Sequence, residues 1–229
     1  MVASLDGKTT VDGKAGSIGS SVDRTLMRAL RARADAAMVG AGTLRAEKLS
    51  LAIPENLARE RASRGLEPQP LAVIVTATGD VPLRENLLSS SPDNLLVLVS
   101  PDVPEELLAA LSSRGSVEAV SRAPGANSGL NLNAALEALK RRHAVGVLLV
   151  EGGPALNYAL ISAGLADELY LTLAPKLVGG KSPDSLAALE GPSLVGSQKR
   201  PKPKLISVHL CGDELFLRYA LLPLGPTRK

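Results

Sequence analysis

The chain has 229 residues, 45% of them hydrophobic and 21% charged, enough aliphatic material for a large core and too little charge for a disordered segment. Its net charge of +3 is spread along the chain and aromatic residues make up 2%, so both a basic stripe and a base-stacking surface are missing, which excludes nucleic acid as a partner and favours a small anionic ligand. Cys211 is the single cysteine and His143 and His209 stand apart; no disulfide, no metal cluster and no apolar run of roughly 18 residues is present, so the expected setting is the cytoplasm, with no metal and no membrane.

The first predicted element is an apolar strand over Val2–Leu5, which ends in Asp6-Gly7 and so carries a carboxylate at its exit. A helix over Val22–Arg33 precedes a strand over Ala36–Val39, which runs into Gly40-Ala41-Gly42-Thr43. We read that stretch as a small-residue turn whose amides and hydroxyl suit a phosphate or ribose oxygen. A helix over Glu55–Arg64, strands over Leu71–Val75 and Leu95–Val99, a helix over Pro104–Ser113 and a strand over Val117–Val120 continue the alternation. A helix over Leu132–Arg142, capped by Asn131 or Asn133, leads to a strand over Val145–Val150.

That strand ends in Glu151-Gly152-Gly153-Pro154, where a helix over Pro154–Ala163 begins with proline in its first turn and stops at Gly164. Bare N–H groups at such a junction suit a phosphate, and Glu151 sets one carboxylate beside them. A strand over Glu168–Ala174 and a long Gly/Pro/Ser-rich segment, Lys176–Lys204, come next. Strands over Leu205–Leu210 and Glu214–Leu221 then flank Cys211-Gly212-Asp213 as an antiparallel hairpin. The earlier strands lack polar alternation, as strands covered on both faces do. The β-α-β-α order therefore predicts an α/β fold with a doubly wound sheet, mixed at one edge. Residues 1–222 read as one domain and Pro223–Lys229 as a flexible tail.

Ligands of open α/β sheets bind at the carboxyl ends of strands. Ser4-Leu5-Asp6-Gly7-Lys8, Gly40–Arg45, Glu151–Pro154 and Ala174-Pro175-Lys176-Leu177-Val178-Gly179-Gly180 all fall there. Together with Leu-Arg-Ala-Arg-Ala-Asp-Ala at 30–36 and the run at 164–176, they resemble the reductase domain of riboflavin biosynthesis, as found in the bifunctional deaminase-reductase. The resemblance implies a dihydrofolate-reductase-like three-layer fold, with a mostly parallel central sheet and an antiparallel C-terminal hairpin. It implies a homodimer formed through the C-terminal edge of the sheet. The implied activity is NADPH-dependent reduction of the ribose of 5-amino-6-(5-phosphoribosylamino)uracil, or a closely related ribosylaminopyrimidine, by hydride transfer to C1′.

By the same resemblance, Ala3, Ser17, Gly40, Gly42, Thr43, Glu47, Gly152, Gly153, Pro154, Ala155, Leu156, Asn157 and Tyr158 bind the cofactor. Arg31, Glu151 and Arg45 bind the substrate, and Asp6 and Glu151 are the catalytic carboxylates. From the residues alone, Asp6 also reads as a turn aspartate and Arg31 as an exposed helix arginine. The chain departs from the family pattern in two places. Residues 13–19 carry no aromatic where the family has a tryptophan, and residues 47–54 lack its Asp-x-Pro-x-Leu-Thr-x-Arg run. Arg45, Lys48 or Arg59 would then replace the arginine that holds the substrate phosphate. A reductase of dihydrofolate or another pterin, and a non-catalytic NADPH-binding protein, are the alternative readings.

Overall fold

The computed structural model describes residues 1–14, 16–47, 49–82, 94–124, 129–181, 185–194 and 201–221. Lys48 and the expected tail Pro223–Lys229 lie outside the described residues. In chain order the elements are β1 (Val2–Ser4), α1 (Ser21–Arg31), β2 (Ala36–Gly40), α2 (Ala41–Ala46), α3 (Glu55–Ser63), β3 (Leu71–Thr76), β4 (Leu95–Val99), α4 (Glu105–Ser112), β5 (Ser116–Ala119), α5 (Leu132–Arg142), β6 (Leu148–Val150), α6 (Pro154–Ser162), β7 (Glu168–Ala174), β8 (Lys204–Cys211) and β9 (Glu214–Ala220). The fold is α/β, and it divides into two compact units. One is Leu26–Gly152, and the other is built from both ends of the chain, Met1–Thr25 and Gly153–Lys229. Among the described residues, no helix is long and apolar enough to cross a membrane.

In the unit Leu26–Gly152, a five-stranded sheet in the order β5-β4-β3-β2-β6 is parallel throughout. Every residue of β4 is buried, as are Ala36 to Val39 of β2. Strands covered on both faces have no use for polar alternation, which is why their sequences are continuous apolar runs. Ala37, Val39, Ile74, Val97 and Val99 pack with Leu44 and Leu111 in one cluster, where each fully buried Val or Leu contributes about 1.5–3 kcal/mol.

The unit built from the chain ends holds a four-stranded sheet in the order β1-β7-β9-β8. β1 runs parallel to β7 with Val2 opposite Thr172, while β9 is antiparallel to both of its neighbours. Between β8 and β9, Gly212 has a φ of 59° and Asp213 does not share its sign, the pattern of a type II′ turn, whose twist matches a hairpin. Helix α6 ends in a Schellman motif. Gly164 (φ 71°) donates its N–H to Ile161 O at 3.1 Å and Leu165 donates to Leu160 O at 2.9 Å, so orphan carbonyls are satisfied at the helix end.

The bounds of α5 and β7 are those predicted, and Asn131 is the α5 cap, its side chain accepting the Ala134 N–H at 3.2 Å. Most other elements shift by one or two residues at their ends, and two segments differ more from the sequence reading. Gly40–Thr43 is not a turn: Gly40 is the extended N-cap of α2, which winds on because Ala41 and Leu44 bury on one face. β6 spans only Leu148–Val150 rather than Val145–Val150. Asp35 Oδ2 accepts the N–H groups of Gly146 (2.8 Å) and Val147 (2.7 Å), donors that would otherwise serve a longer ladder.

Candidate functional site

At the C-terminal end of α1, Arg31 faces Glu151, the residue that follows β6. The two form a bidentate pair: Arg31 Nε donates to Glu151 Oε1, and Nη2 donates to Oε2 at 2.6 Å. Nη1 donates to the Ser50 carbonyl at 2.9 Å and to Ala52 at 3.4 Å. Side-chain exposure is 9% for Arg31 and 3% for Glu151. The expectation of an exposed helix arginine is therefore corrected. A buried guanidinium needs its charge and its fork of donors matched, and Glu151 with two carbonyls does this.

Sequence reasoning missed two residues that act on the same region. The Gln69 side-chain amide accepts the Ile53 N–H at 2.8 Å and donates to the Ile53 carbonyl at 3.0 Å. Arg61 is buried and donates to Ala32 O (2.9 Å), Ala34 O (2.7 Å) and Glu67 O (2.9 Å). Burial pushes its pKa down, opposed by the charge of Asp35. Neither stands in a motif, and Arg61 is one of several charged residues along α3, so nothing in the sequence sets it apart.

In the unit of the chain ends, Asp6 lies in the turn after β1. The Ser4 hydroxyl donates to its Oδ1 at 2.6 Å, Val178 N–H to Oδ1 at 3.0 Å and Gly179 N–H to Oδ2 at 2.7 Å. These bonds, that of Ser4 foremost, hold its pKa well below the usual carboxylate range. Asp6 thus ties the β1 exit to the segment after β7, where Gly179 and Gly180 both have positive φ.

The start of α6 has Gly153 as an extended N-cap and Pro154 at the first helical position, with no side-chain cap and no acidic residue in its first turn. Such an end presents N–H groups and the positive end of the helix dipole, which fits a dinucleotide's phosphates. Ala155 is exposed and Leu156 half-buried beside it. Asn157 donates from Nδ2 to the Ala188 carbonyl at 3.2 Å. A methyl group at Gly191 would come within 2.4 Å of the Tyr158 ring. Asn157 and Tyr158 therefore hold residues 188–191 against α6.

The remaining expected residues are distributed between the units. Ala3 is buried in β1 and Ser17 is exposed, its carbonyl taking a hydrogen bond from Lys176 Nζ. Gly40, Gly42, Thr43 and Glu47 lie on and around α2, and Gly152 has a φ of 102°. Arg45 donates to the Asp80 carbonyl at 2.6 Å and pairs with its carboxylate at 3.4 Å. Arg59 is exposed on α3 and paired with Glu55.

Comparison with known proteins gives one family. The RibD C-terminal domain family matches residues 1–216. The chain is 35% identical over 197 residues to a 2,5-diamino-6-ribosylamino-4(3H)-pyrimidinone 5′-phosphate reductase of Archaeoglobus fulgidus, covering 85% of this chain and 86% of that protein. It is 27% identical over 219 residues to a reductase of the same name from Methanothermobacter thermautotrophicus, covering 95% and 94%. Among solved structures, Acinetobacter baumannii RibD superposes with a TM-score of 0.75 at 25% identity, covering 96% of this chain and 56% of that one. A pyrimidine reductase-like protein of Corynebacterium diphtheriae superposes with a TM-score of 0.73 at 22% identity, covering 96% and 89%, and shares the fold. These findings agree with the resemblance read from the motifs.

Proposed function

The chain belongs to the RibD C-terminal domain family, and from that premise we propose that it is an oxidoreductase of riboflavin biosynthesis that reduces a ribosylaminopyrimidine 5′-phosphate. The observation that carries this reading is the 35% identity to a reductase named for the 2,5-diamino-pyrimidinone substrate, with 86% of that protein's length covered. That substrate, which still bears its 2-amino group, takes precedence over 5-amino-6-(5-phosphoribosylamino)uracil. The uracil form is named for a Thermotoga maritima deaminase/reductase of which this chain covers 55%.

NADPH is the proposed cofactor, with its phosphates at the uncapped start of α6 over Gly153–Tyr158 and with Ala3, Ser17, Gly40, Gly42, Thr43 and Glu47 assigned to it by family resemblance. When bound, it would supply a hydride to C1′ of the ring-opened, protonated imine, leaving a neutral ribitylamine. The chain's part is to align the reacting carbons to about 3–3.5 Å and exclude water. Glu151 stands on the substrate side of this reading. Asp6, with its oxygens given to three donors, serves as a fixed carboxylate and not as a proton donor. The same reading carries a homodimer formed through the C-terminal sheet edge, in the cytoplasm.

Purified protein incubated with NADPH and the 2,5-diamino substrate should consume cofactor in step with ribitylamino product. Failure both to bind NADPH and to turn over either pyrimidine overturns the proposal. A higher kcat/KM for dihydrofolate would favour the pterin reading, and tight NADPH binding without turnover would favour the non-catalytic one.

A further inference from the structure

Arg31 is buried, and its donors are directed inward: two N–H groups to the two oxygens of Glu151, and the Nη1 group to the carbonyls of Ser50 and Ala52. A guanidinium has five N–H donors in a fixed planar fork. An arginine that receives a substrate phosphate needs a pair of them turned outward, and here the described partners leave one. The partners also share a location. Glu151 follows β6, whereas Ser50 and Ala52 lie in the segment where the family pattern is replaced, and Gln69 grips Ile53 next to them from both N–H and C=O.

We propose that Arg31 is a positioning residue, which fixes the Glu151 carboxylate and the Ser50–Ala52 backbone in one geometry and does not itself bind the substrate. The proposal rests on the reductase reading above. It explains why residues 49–53 depart from the family pattern while the carbonyls of Ser50 and Ala52 are held in place. Backbone carbonyls are available whatever the side chains are, so an arginine that reads carbonyls tolerates the altered sequence.

The test uses Arg31→Lys, Glu151→Gln and the double variant. Lysine keeps the buried positive charge, and with it the fold, but as a point charge it cannot span a carboxylate and two carbonyls. With NADPH and the 2,5-diamino substrate, Arg31→Lys should lower kcat/KM about tenfold, mainly in kcat. The double variant should fall no further than Glu151→Gln alone, because the two residues act as one unit. In the free protein, amide hydrogen exchange over residues 49–53 should quicken about tenfold in Arg31→Lys, with the strands of the five-stranded sheet unchanged. Losses that multiply in the double variant, or a rise confined to substrate KM, would mean that Arg31 touches the substrate and would overturn the proposal. Unaltered exchange over 49–53 would overturn it as well. A wild-type protein that turns over neither pyrimidine would overturn the function instead, and the exchange measurement then decides the clamp by itself.

Discussion

Asp6 accepts a hydroxyl and two backbone N–H groups, so its ionised form is favoured in the folded chain and its pKa lies below the ordinary 3.8. A depressed carboxylate stabilises the fold above its unfolded pKa and loses that effect as pH falls through the folded value. At neutral pH the wild type should therefore melt above Asp6→Asn, and the gap should close as pH drops below about 4. Melting curves across that range check this, and a gap that stays constant into strong acid would contradict it. The same low pKa predicts that kcat/KM shows no Asp6 limb between about pH 6 and 8. For Glu151, the removal of one charged oxygen should leave NADPH affinity within about threefold while lowering kcat/KM. Isothermal titration of Glu151→Gln with NADPH, beside its steady-state kinetics, tests this, and a collapse of cofactor affinity would move Glu151 to the cofactor side.

Helix α6 depends on two glycines with different physical roles, Gly164 past its C-terminal end and Gly191 against its middle. Gly164 has a φ of 71° with open space where a Cβ would go, whereas Gly191 has ordinary φ but lies against the Tyr158 ring. Gly164→Ala should thus cost about 1 kcal/mol through backbone strain alone, a fall of about 2–4 °C in Tm, with NADPH affinity unchanged. Gly191→Ala must displace the ring or the segment from the helix, and so should weaken NADPH binding as well as lower Tm. Thermal melts and NADPH titration of both variants separate the two cases. Elements of this kind were readable in proportion to how local their causes are. α5 starts at its own cap, Asn131, and α6 stops beside Gly164. β6 is shortened by Asp35, more than a hundred positions away in the chain, and α2 is a helix because two small-stretch residues bury. No periodicity registers either cause. The Arg31–Glu151 pair spans 120 positions, so the sequence offered both residues as site members without showing that they are each other's partners.

At the scale of the whole molecule, the sequence showed the strand inventory but not that the first strand pairs with the seventh, which makes one unit out of both chain ends. β8 is the outer strand of that unit's sheet, and Leu205, Ile206, Val208 and Leu210 on it are exposed. Since neighbouring residues point to opposite faces of a strand, both faces of β8 carry exposed apolar side chains beside an open backbone edge. Such an edge invites uncontrolled pairing unless something covers it, and the proposed homodimer would do so with a second copy of the same strand. Val208 and Leu210 share one face, so the double change Val208→Lys/Leu210→Lys places two charges there while leaving the β8–β9 ladder intact. Sedimentation equilibrium should give a dimer for the wild type and a monomer for this variant, with folded circular dichroism in both. A variant that remains dimeric would exclude β8 as the interface, and a monomeric wild type would remove the dimer from the functional reading altogether.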